Sequence, residues 1–406
     1  MQSGLRIGSI FGIPLFINPS WLVIIALIAF GFTRDWQVSY PQWGSLLTWV
    51  AGFATALLLF ASVLLHELGH SLVARSQGIR VNSITLFLLC GIAAIDEESK
   101  TPGQAFQVAI AGPAVSFCLY GGLLALLQVL PQASPGQVLV EHLAHINLVL
   151  GLFNLIPGLP LDGGQVLKSA VWKVTGSRFA GVQWAARAGR ALGWTAITLG
   201  IAIALVTQVF GGYWIALLGW FGLQNANTYD RVSTLQEALL KLTAAEAMSR
   251  DFRVIDANLN LRQFAELYLL EERHPKLYFA ASDGRYRGQI SVDALRQIER
   301  SWWDRQTVQS LAKPLVALPS VQERTPLAQV ILKLEQQRLN TITVLSPADA
   351  VAGVIDRAEI VRLLAQRLNL RISPTELQQI QVDGHYPPTL QLVAIAKSVL
   401  SDLQPG

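Results

Sequence analysis

The chain has 406 residues, of which 52% are apolar or aromatic and only 14% are charged, against about 25% charged residues in ordinary soluble domains. Its net charge of +4 is small and forms no basic cluster with interleaved aromatic residues, which argues against a nucleic-acid-binding face. Its two cysteines, Cys90 and Cys118, lie in apolar surroundings and offer neither a disulfide framework nor a cysteine zinc site, so any metal must be held by His, Asp or Glu.

Apolar stretches near the ~20 residues that cross a membrane occupy the first half of the chain. The N-terminus lacks the cleavage pattern of a signal peptide, so the first stretch is predicted to be a retained membrane helix. Gly211 and Gly212 separate the last two stretches, which could instead form one bent element and reduce six spans to five. The predicted spans are 19–33, 46–74, 105–130, 138–157, 191–209 and 212–225.

Basic residues in the connections predict the orientation. Segments 75–104 and 165–190 carry Lys and Arg residues, whereas 131–137 and 207–213 carry none. By the positive-inside rule the basic segments face the cytoplasm. An even number of spans then places both termini there too.

Residues 79–95 contain a β-branched run, a central Cys90-Gly91 and an acidic exit, which predicts a β-hairpin rather than a helix. Backbone of this kind is tolerated at membrane depth only where it is buried in protein or lines a wet cavity. The edge of such a hairpin beside an active site could pair with an extended peptide.

The motif His66-Glu67-Leu68-Gly69-His70 lies inside the second apolar stretch. Residues four apart share one face of a helix, so the two imidazoles can hold one zinc ion with Glu67 beside it as general base. The alternative is a buried polar cluster that satisfies its own hydrogen bonds. Ionisable groups inside a membrane are costly and are functional by default, which favours the zinc site.

A catalytic zinc ion needs a third protein ligand and an open position for water. The fourth stretch is broken at FNLIPGLPLDGG, where prolines and glycines interrupt the helix and let Asp162 turn inward. Asp162 is therefore the predicted third ligand. Taken without the histidine motif, it could equally be a helix cap or a loop residue.

The C-terminal part repeats itself with a period near 65, and Gly288 and Gly353 occupy equivalent places. Each copy contains a helix, two strands and a second helix, which predicts two α+β modules stacked on a shared core. The predicted domains are 1–228, the repeat pair 243–368 (copies 243–302 and 307–368), and a tail at 369–406 with one helix at 388–403.

These pieces resemble the site-2 protease family of intramembrane zinc metalloproteases, in the branch that carries a C-terminal pair of CBS modules. The resemblance implies one zinc ion held by His66, His70 and Asp162, a water activated by Glu67, and Asn154 orienting the substrate or stabilising the intermediate. The matching segments are HELGH (66–70), the LDGG motif with its upstream Asn and prolines (154–164), AGPAVS (111–116) and the entry RIGSIFGIPLFINPSW.

The chain departs from the family pattern at two positions, and both departures are expected to affect loop details rather than activity. The chain has Cys90-Gly91 where two glycines are frequent in the hairpin, and Ser116 where Asn is common after the Gly-Pro pair. Neither falls on a ligand position.

Tandem CBS modules often bind adenine nucleotides, and the resemblance implies nucleotide-binding candidates at Ser291, Asp356 and Glu359. The set is incomplete, because Ala294 stands at the position of the ribose-binding Asp in the first copy. A structural or dimerising role, which would make the protein a homodimer through these modules, is therefore an equal alternative.

The sequence predicts a polytopic α-helical membrane protein of about six spans with a membrane-embedded β-hairpin, followed by a cytoplasmic α+β tandem CBS domain. Its predicted activity is zinc-dependent hydrolysis of peptide bonds within or near transmembrane segments of membrane proteins, modulated by the CBS pair. The predicted partners are a membrane-protein substrate and the lipid bilayer, with no nucleic acid. The alternatives are a zinc carrier, which would need several ligand sets along a path, and an inactive relative, against which the intact motif argues.

Overall fold

A computed structural model describes residues 4–86, 91–95, 99–132, 134–270 and 277–401. The chain divides into two compact units, Met1–Thr234 and Leu235–Gly406. Each unit has its own secondary structure and its own buried clusters.

Long helices dominate the N-terminal unit, and four short strands lie between them. The unit contains β1 (Leu5–Ile10), β2 (Ile13–Ile17), α1 (Ser20–Ser39), α2 (Ser45–Ser76), β3 (Val81–Leu86), β4 (Gly91–Ile95), α3 (Pro102–Leu127), α4 (Pro135–Asn154), α5 (Asp162–Thr175), α6 (Arg178–Thr207) and most of α7 (Gly211–Lys241).

Five of these helices, α1 to α4 and α6, are long and apolar enough to cross a membrane. Many of their outward-facing side chains are large and apolar, such as Leu46 and Val206, which are 80% and 83% exposed. Large exposed apolar surfaces are rare on soluble monomers and are expected where helices face lipid. The sixth predicted span, 212–225, forms the start of α7, which is not among the five, so the predicted count of six is not confirmed.

The four strands form one sheet in the order β1-β2-β3-β4. The antiparallel pair β3–β4 confirms the hairpin predicted at 79–95, and Cys90 of its central Cys-Gly pair lies outside the described residues. Parallel pairing of β2 with β3 joins this hairpin to the β1–β2 hairpin, which the sequence did not predict. Ile13, Leu15 and Ile84 of the sheet pack against Leu68 of α2, so the sheet lies beside the histidine motif.

The C-terminal unit contains the predicted duplication. In each copy a short strand pairs parallel with the first strand of an antiparallel hairpin, in the orders β5-β6-β7-β8 and β11-β10-β9. The elements are α8 (Ala244–Ala247), β5 (Phe252–Asp256), α9 (Leu261–Tyr268), β6 (Leu277–Ser282), β7 (Arg285–Ile290), α10 (Val292–Arg296), β8 (Ala312–Lys313), β9 (Ser320–Gln322), α11 (Leu327–Gln336), β10 (Thr341–Leu345), β11 (Val351–Asp356), α12 (Arg357–Leu368), α13 (Pro374–Asp383) and α14 (Leu392–Ser401).

The last helices belong to the core of this unit. Leu392, Ile395 and Val399 of α14 are buried in the same cluster as Val330 and Ile331 of α11. Within the stretch 369–406, which was predicted as a tail, α14 therefore supplies one wall of the hydrophobic core around the second repeat.

Candidate metal centre

The two histidines of the motif lie on one face of α2, as their spacing of four residues requires. His66 and His70 are 4% and 8% exposed, so both imidazoles are inside the protein. Leu68 points to the sheet instead. At the motif, α2 thus packs against the sheet through Leu68 and presents its two histidines, which can bind a metal ion, on another face.

Asp162 is the first residue of α5. The start of this helix lies backbone to backbone against the preceding loop: a methyl group on Gly163 would be 2.3 Å from the carbonyl oxygen of Leu155. The loop is held in turn by α6, because the Leu159 amide donates a hydrogen bond to the Ala185 carbonyl at 3.2 Å. This close packing fixes where the Asp162 carboxylate points.

The three predicted ligands converge in the structure. Asp162 Oδ2 lies 3.0 Å from His66 Nε2 and 3.3 Å from His70 Nε2, and the two Nε2 atoms are 3.4 Å apart. In a tetrahedral zinc site with bonds of 2.0–2.1 Å, neighbouring ligand atoms are about 3.3 Å apart. The donor atoms are therefore spaced as zinc ligands are.

Both histidines are hydrogen-bonded to α3 through their other ring nitrogen. His70 Nδ1 lies 2.6 Å from the Val108 carbonyl oxygen, and His66 Nδ1 lies 2.9 Å from Ser116 Oγ. The expectation that the departure at Ser116 concerns only loop details is wrong, because Ser116 is a buried residue of α3 that contacts a predicted ligand.

The chemistry of this donor set suits a cation. A carbonyl oxygen only accepts hydrogen bonds, so His70 Nδ1 must carry the proton, and a neutral imidazole then has its lone pair on Nε2. With the same tautomer at His66, two lone pairs and one carboxylate oxygen point at a common centre. Such an arrangement needs a positive charge between the donors, and a divalent ion supplies it.

Space for that ion depends on Gly112 of α3. A methyl group there would lie 2.2 Å from His70 Nε2 and 2.6 Å from His66 Nε2, which is closer than real side chains approach. Because Gly112 has no side chain, α3 can come close to α2 without filling the centre.

The two other predicted active-site residues lie near the ligands in sequence. Glu67 follows His66 directly in α2 and is half-buried. Asn154 is the last residue of α4, is also half-buried, and its side-chain amide donates a hydrogen bond to the Leu150 carbonyl at 3.0 Å. Within the described residues, no hydrogen bond joins Asn154 to the three converging side chains.

Three residues of α3 received no role from the sequence, namely Val108, Gly112 and Ser116. They are spaced four apart and therefore lie on one helix face, with small side chains at the last two positions. That spacing was an available signal that this face of α3 packs closely against another helix.

The nucleotide-binding candidates have local structural roles. Ser291 and Asp356 occupy equivalent positions as N-caps, accepting hydrogen bonds from the backbone amides of Ala294 and Glu359. Glu359 also forms an ion pair with Arg362 at 2.7 Å.

The two copies differ around these caps. Asp356 is 7% exposed, and the ring of Tyr386 lies 5.5 Å from the neighbouring Arg357 guanidinium. Burial raises the pKa of this tyrosine well above its usual value. By contrast, Ser291 borders a cavity of about 630 Å³ that Trp303 and Lys313 also line.

Comparisons with known proteins agree on one family. The model of peptidase family M50 matches residues 54–143 and 132–196. A Synechocystis protein provisionally named as a zinc metalloprotease is 42% identical over 90% of this chain and 96% of its own length. A zinc metalloprotease of Methanocaldococcus jannaschii is 26% identical over 90% of this chain and 97% of its own.

Solved structures give two further likenesses. The site-2 protease from Methanocaldococcus jannaschii is 27% identical, and the match covers 56% of this chain and 95% of that one with a TM-score of 0.40. The CBS domain of a bacterial CNNM/CorC family Mg²⁺ transporter is 14% identical, with 33% and 82% covered and a TM-score of 0.28.

Proposed function

This chain belongs to peptidase family M50, and we propose that it is an intramembrane zinc endopeptidase that hydrolyses peptide bonds within or near transmembrane segments of membrane proteins. The observation that carries the proposal is the convergence of His66, His70 and Asp162 within an apolar helical unit. Peptide hydrolysis, rather than transport, fits one three-ligand centre with a carboxylate beside it.

The ligand roles follow from the donor atoms. His66 Nε2, His70 Nε2 and Asp162 Oδ2 would hold one zinc ion, which leaves the fourth tetrahedral position for water or substrate. When bound, zinc acidifies a coordinated water and draws charge from the scissile carbonyl.

Glu67 supplies the proton transfers. Its carboxylate takes the proton that the attacking water releases and then delivers it to the nitrogen of the leaving amine. Half-burial beside the ligands keeps this carboxylate out of bulk water. Asn154, at the end of α4, orients the substrate or stabilises the negative oxygen that forms on the carbonyl.

The substrate must be extended at the cut, because a regular helix shields its own carbonyl groups. β4 lies at one edge of the four-stranded sheet, and that sheet packs on α2 beside the motif. An edge strand offers unpaired backbone groups to a peptide, so the proposed substrate pairs with β4 as an added strand.

The orientation and the regulation complete the proposal. With the start of α7 counted as a sixth span, the basic connections 75–104 and 165–190 would put both termini and the repeat unit in the cytoplasm, as the sequence predicts. The repeat unit is a CBS-type pair that modulates cleavage and could also join two chains. Binding of an adenine nucleotide to this unit remains a prediction, and the cavity beside Ser291 is the proposed site for it. Equilibrium dialysis against labelled AMP would measure this binding.

Replacing Glu67 with Gln tests the proposed function. General base catalysis contributes about 10²–10⁴ in rate. Cleavage by the unsubstituted chain creates new termini in membrane proteins of the cell, and these termini should be absent from cells that carry Glu67→Gln. The purified variant should still contain one zinc ion per chain. Unchanged cleavage products, or absence of zinc from the unsubstituted chain, would contradict the proposal.

A further inference from the structure

In each of the two imidazoles, Nδ1 faces away from the centre and is hydrogen-bonded to α3. Val108 and Ser116 of α3 contact His70 and His66 respectively, and α2 and α3 run antiparallel past each other in this region. The carbonyl of Val108 fixes the tautomer of His70, because it can only accept a hydrogen bond. Ser116 alone does not determine the tautomer of His66.

A serine hydroxyl can donate or accept, so it would allow either tautomer of an isolated imidazole. At His66 the choice follows from Nε2, which lies 3.0 Å from Asp162 Oδ2 and 3.4 Å from His70 Nε2. To ligate an ion with those atoms, Nε2 must keep its lone pair. Nδ1 then carries the proton and donates it to Ser116 Oγ.

We propose that Ser116 is a positioning residue for the metal centre: its hydroxyl oxygen accepts the Nδ1 hydrogen of His66 and so holds that imidazole in the tautomer and orientation that present Nε2 to zinc. This inference rests on the proposed function. Ser116 is fully buried at 0% exposure, so water cannot take over its role without a rearrangement of α3.

Metal-ligating histidines generally donate their other N–H to a fixed acceptor, and loss of that acceptor typically costs 10- to 100-fold in metal affinity. Ser116→Ala should therefore weaken zinc binding by about that factor. Ser116→Thr keeps a hydroxyl and Ser116→Asn supplies an amide oxygen, so both should restore most of the affinity. Ser71→Ala is the matched control, since Ser71 is also fully buried in α2 and its hydroxyl has no hydrogen-bond partner in the described part of the chain.

The measurement is competition for Zn²⁺ between the purified full-length chain in detergent and a chromophoric chelator. The absorption spectrum of the Co²⁺-substituted protein gives a second readout, because ligand-field bands change when an imidazole rotates. Thermal unfolding of the chelator-treated proteins separates a fold defect from a metal-site defect.

The outcomes are distinct. Equal Zn²⁺ affinity and equal Co²⁺ spectra in Ser116→Ala and the unsubstituted chain would overturn the role of Ser116 and leave the proposed function intact. An unsubstituted chain that binds no Zn²⁺ would overturn the proposed function itself. Should Ser116→Ala unfold, the Thr and Asn variants decide, and loss of affinity in both folded variants would contradict the inference.

Discussion

Gly112 is important for the candidate metal centre because it has no side chain, and not because of its backbone freedom. Its place in the middle of α3 is ordinary helix, where glycine costs roughly 0.5–1 kcal/mol relative to alanine. What favours glycine is the approach of two imidazoles, which are themselves held at Nδ1 and cannot easily retreat. The candidate metal centre thus consists of three donor atoms and the open space that Gly112 leaves beside them.

Gly112→Ala should abolish metal binding while the helices remain folded. The new methyl group would occupy the space beside both Nε2 atoms, so we expect the Zn²⁺ affinity to fall by more than the roughly 100-fold that loss of an outer hydrogen bond costs. Metal analysis of the purified variant measures the zinc content.

Gly121→Ala in the same helix is the control, because a methyl group there meets no atom of the described residues within 4 Å. It should keep the zinc content of the unsubstituted chain. A Gly112→Ala protein with one zinc ion per chain would show that the donors do not surround the centre as described.

At the scale of elements, the start of α5 determines the position of Asp162, the predicted third ligand. Gly163 and Gly164 allow this helix to touch the backbone of the loop before it, and a side chain at either would collide with backbone atoms rather than with a flexible group. The two glycines of the Asp-Gly-Gly sequence therefore determine how close α5 lies to the loop, and so where the Asp162 carboxylate is positioned.

Gly163→Ala should displace Asp162 without altering any donor atom. The methyl group would lie 2.3 Å from the Leu155 carbonyl oxygen, and overpacking of this kind typically costs 1–3 kcal/mol. We expect a lower unfolding temperature together with weaker Zn²⁺ binding, measured by thermal unfolding with and without the metal.

Gly31→Ala in α1 should change neither quantity, because in the part of the chain that the structure describes no atom lies within 4 Å of the added methyl group. Wild-type metal affinity in Gly163→Ala would mean that the position of α5 tolerates this shift.

The sequence predicted the three side chains that converge because each of them stands in a local pattern. His66 and His70 lie on one helix, and Asp162 stands in a short motif broken by prolines and glycines. The contact between Ser116 and His66 spans 50 residues and depends on how two helices are paired, which no local pattern encodes.

The boundaries of the helices were harder to predict for physical reasons. α6 begins at Arg178 rather than near 191, because its first half carries charged residues that an apolar-stretch criterion rejects. One of them, Arg190, forms an ion pair with Asp230 of α7 at 2.9 Å. The β1–β2 hairpin was missed because Gly8 and Pro14 interrupt its strands and hide the alternation that indicates a strand.

At the scale of the whole molecule, the two units have separate buried clusters. The predicted ligands belong to the N-terminal unit, whereas the largest buried cluster of the C-terminal unit includes α11, α12 and α14. Stability of the C-terminal unit should therefore depend on its last helix.

Leu392→Ala should destabilise the C-terminal unit alone. Leu392 is 1% exposed in α14, and removing a buried leucine side chain typically costs 2–5 kcal/mol. Calorimetry of the full-length chain should show a lowered transition for residues 235–401, and limited proteolysis should cut there first. The Zn²⁺ affinity should stay unchanged.

Val382→Ala is the matched control, because Val382 in α13 is 85% exposed and such surface changes usually stay within about 0.5 kcal/mol. Equal stability of the two variants would show that α14 is not part of the core.

The long separation between the donors has a consequence for biosynthesis. The ribosome must add 96 residues after His66 before Asp162 exists, and the segment carrying Asp162 is held only once Ala185 of α6 has also been made. Chains are synthesised from the N-terminus, so the histidine helix enters the bilayer long before its carboxylate partner. We therefore expect a nascent chain to have no complete set of donors, and no proteolytic activity, until at least 185 of its 406 residues have been synthesised.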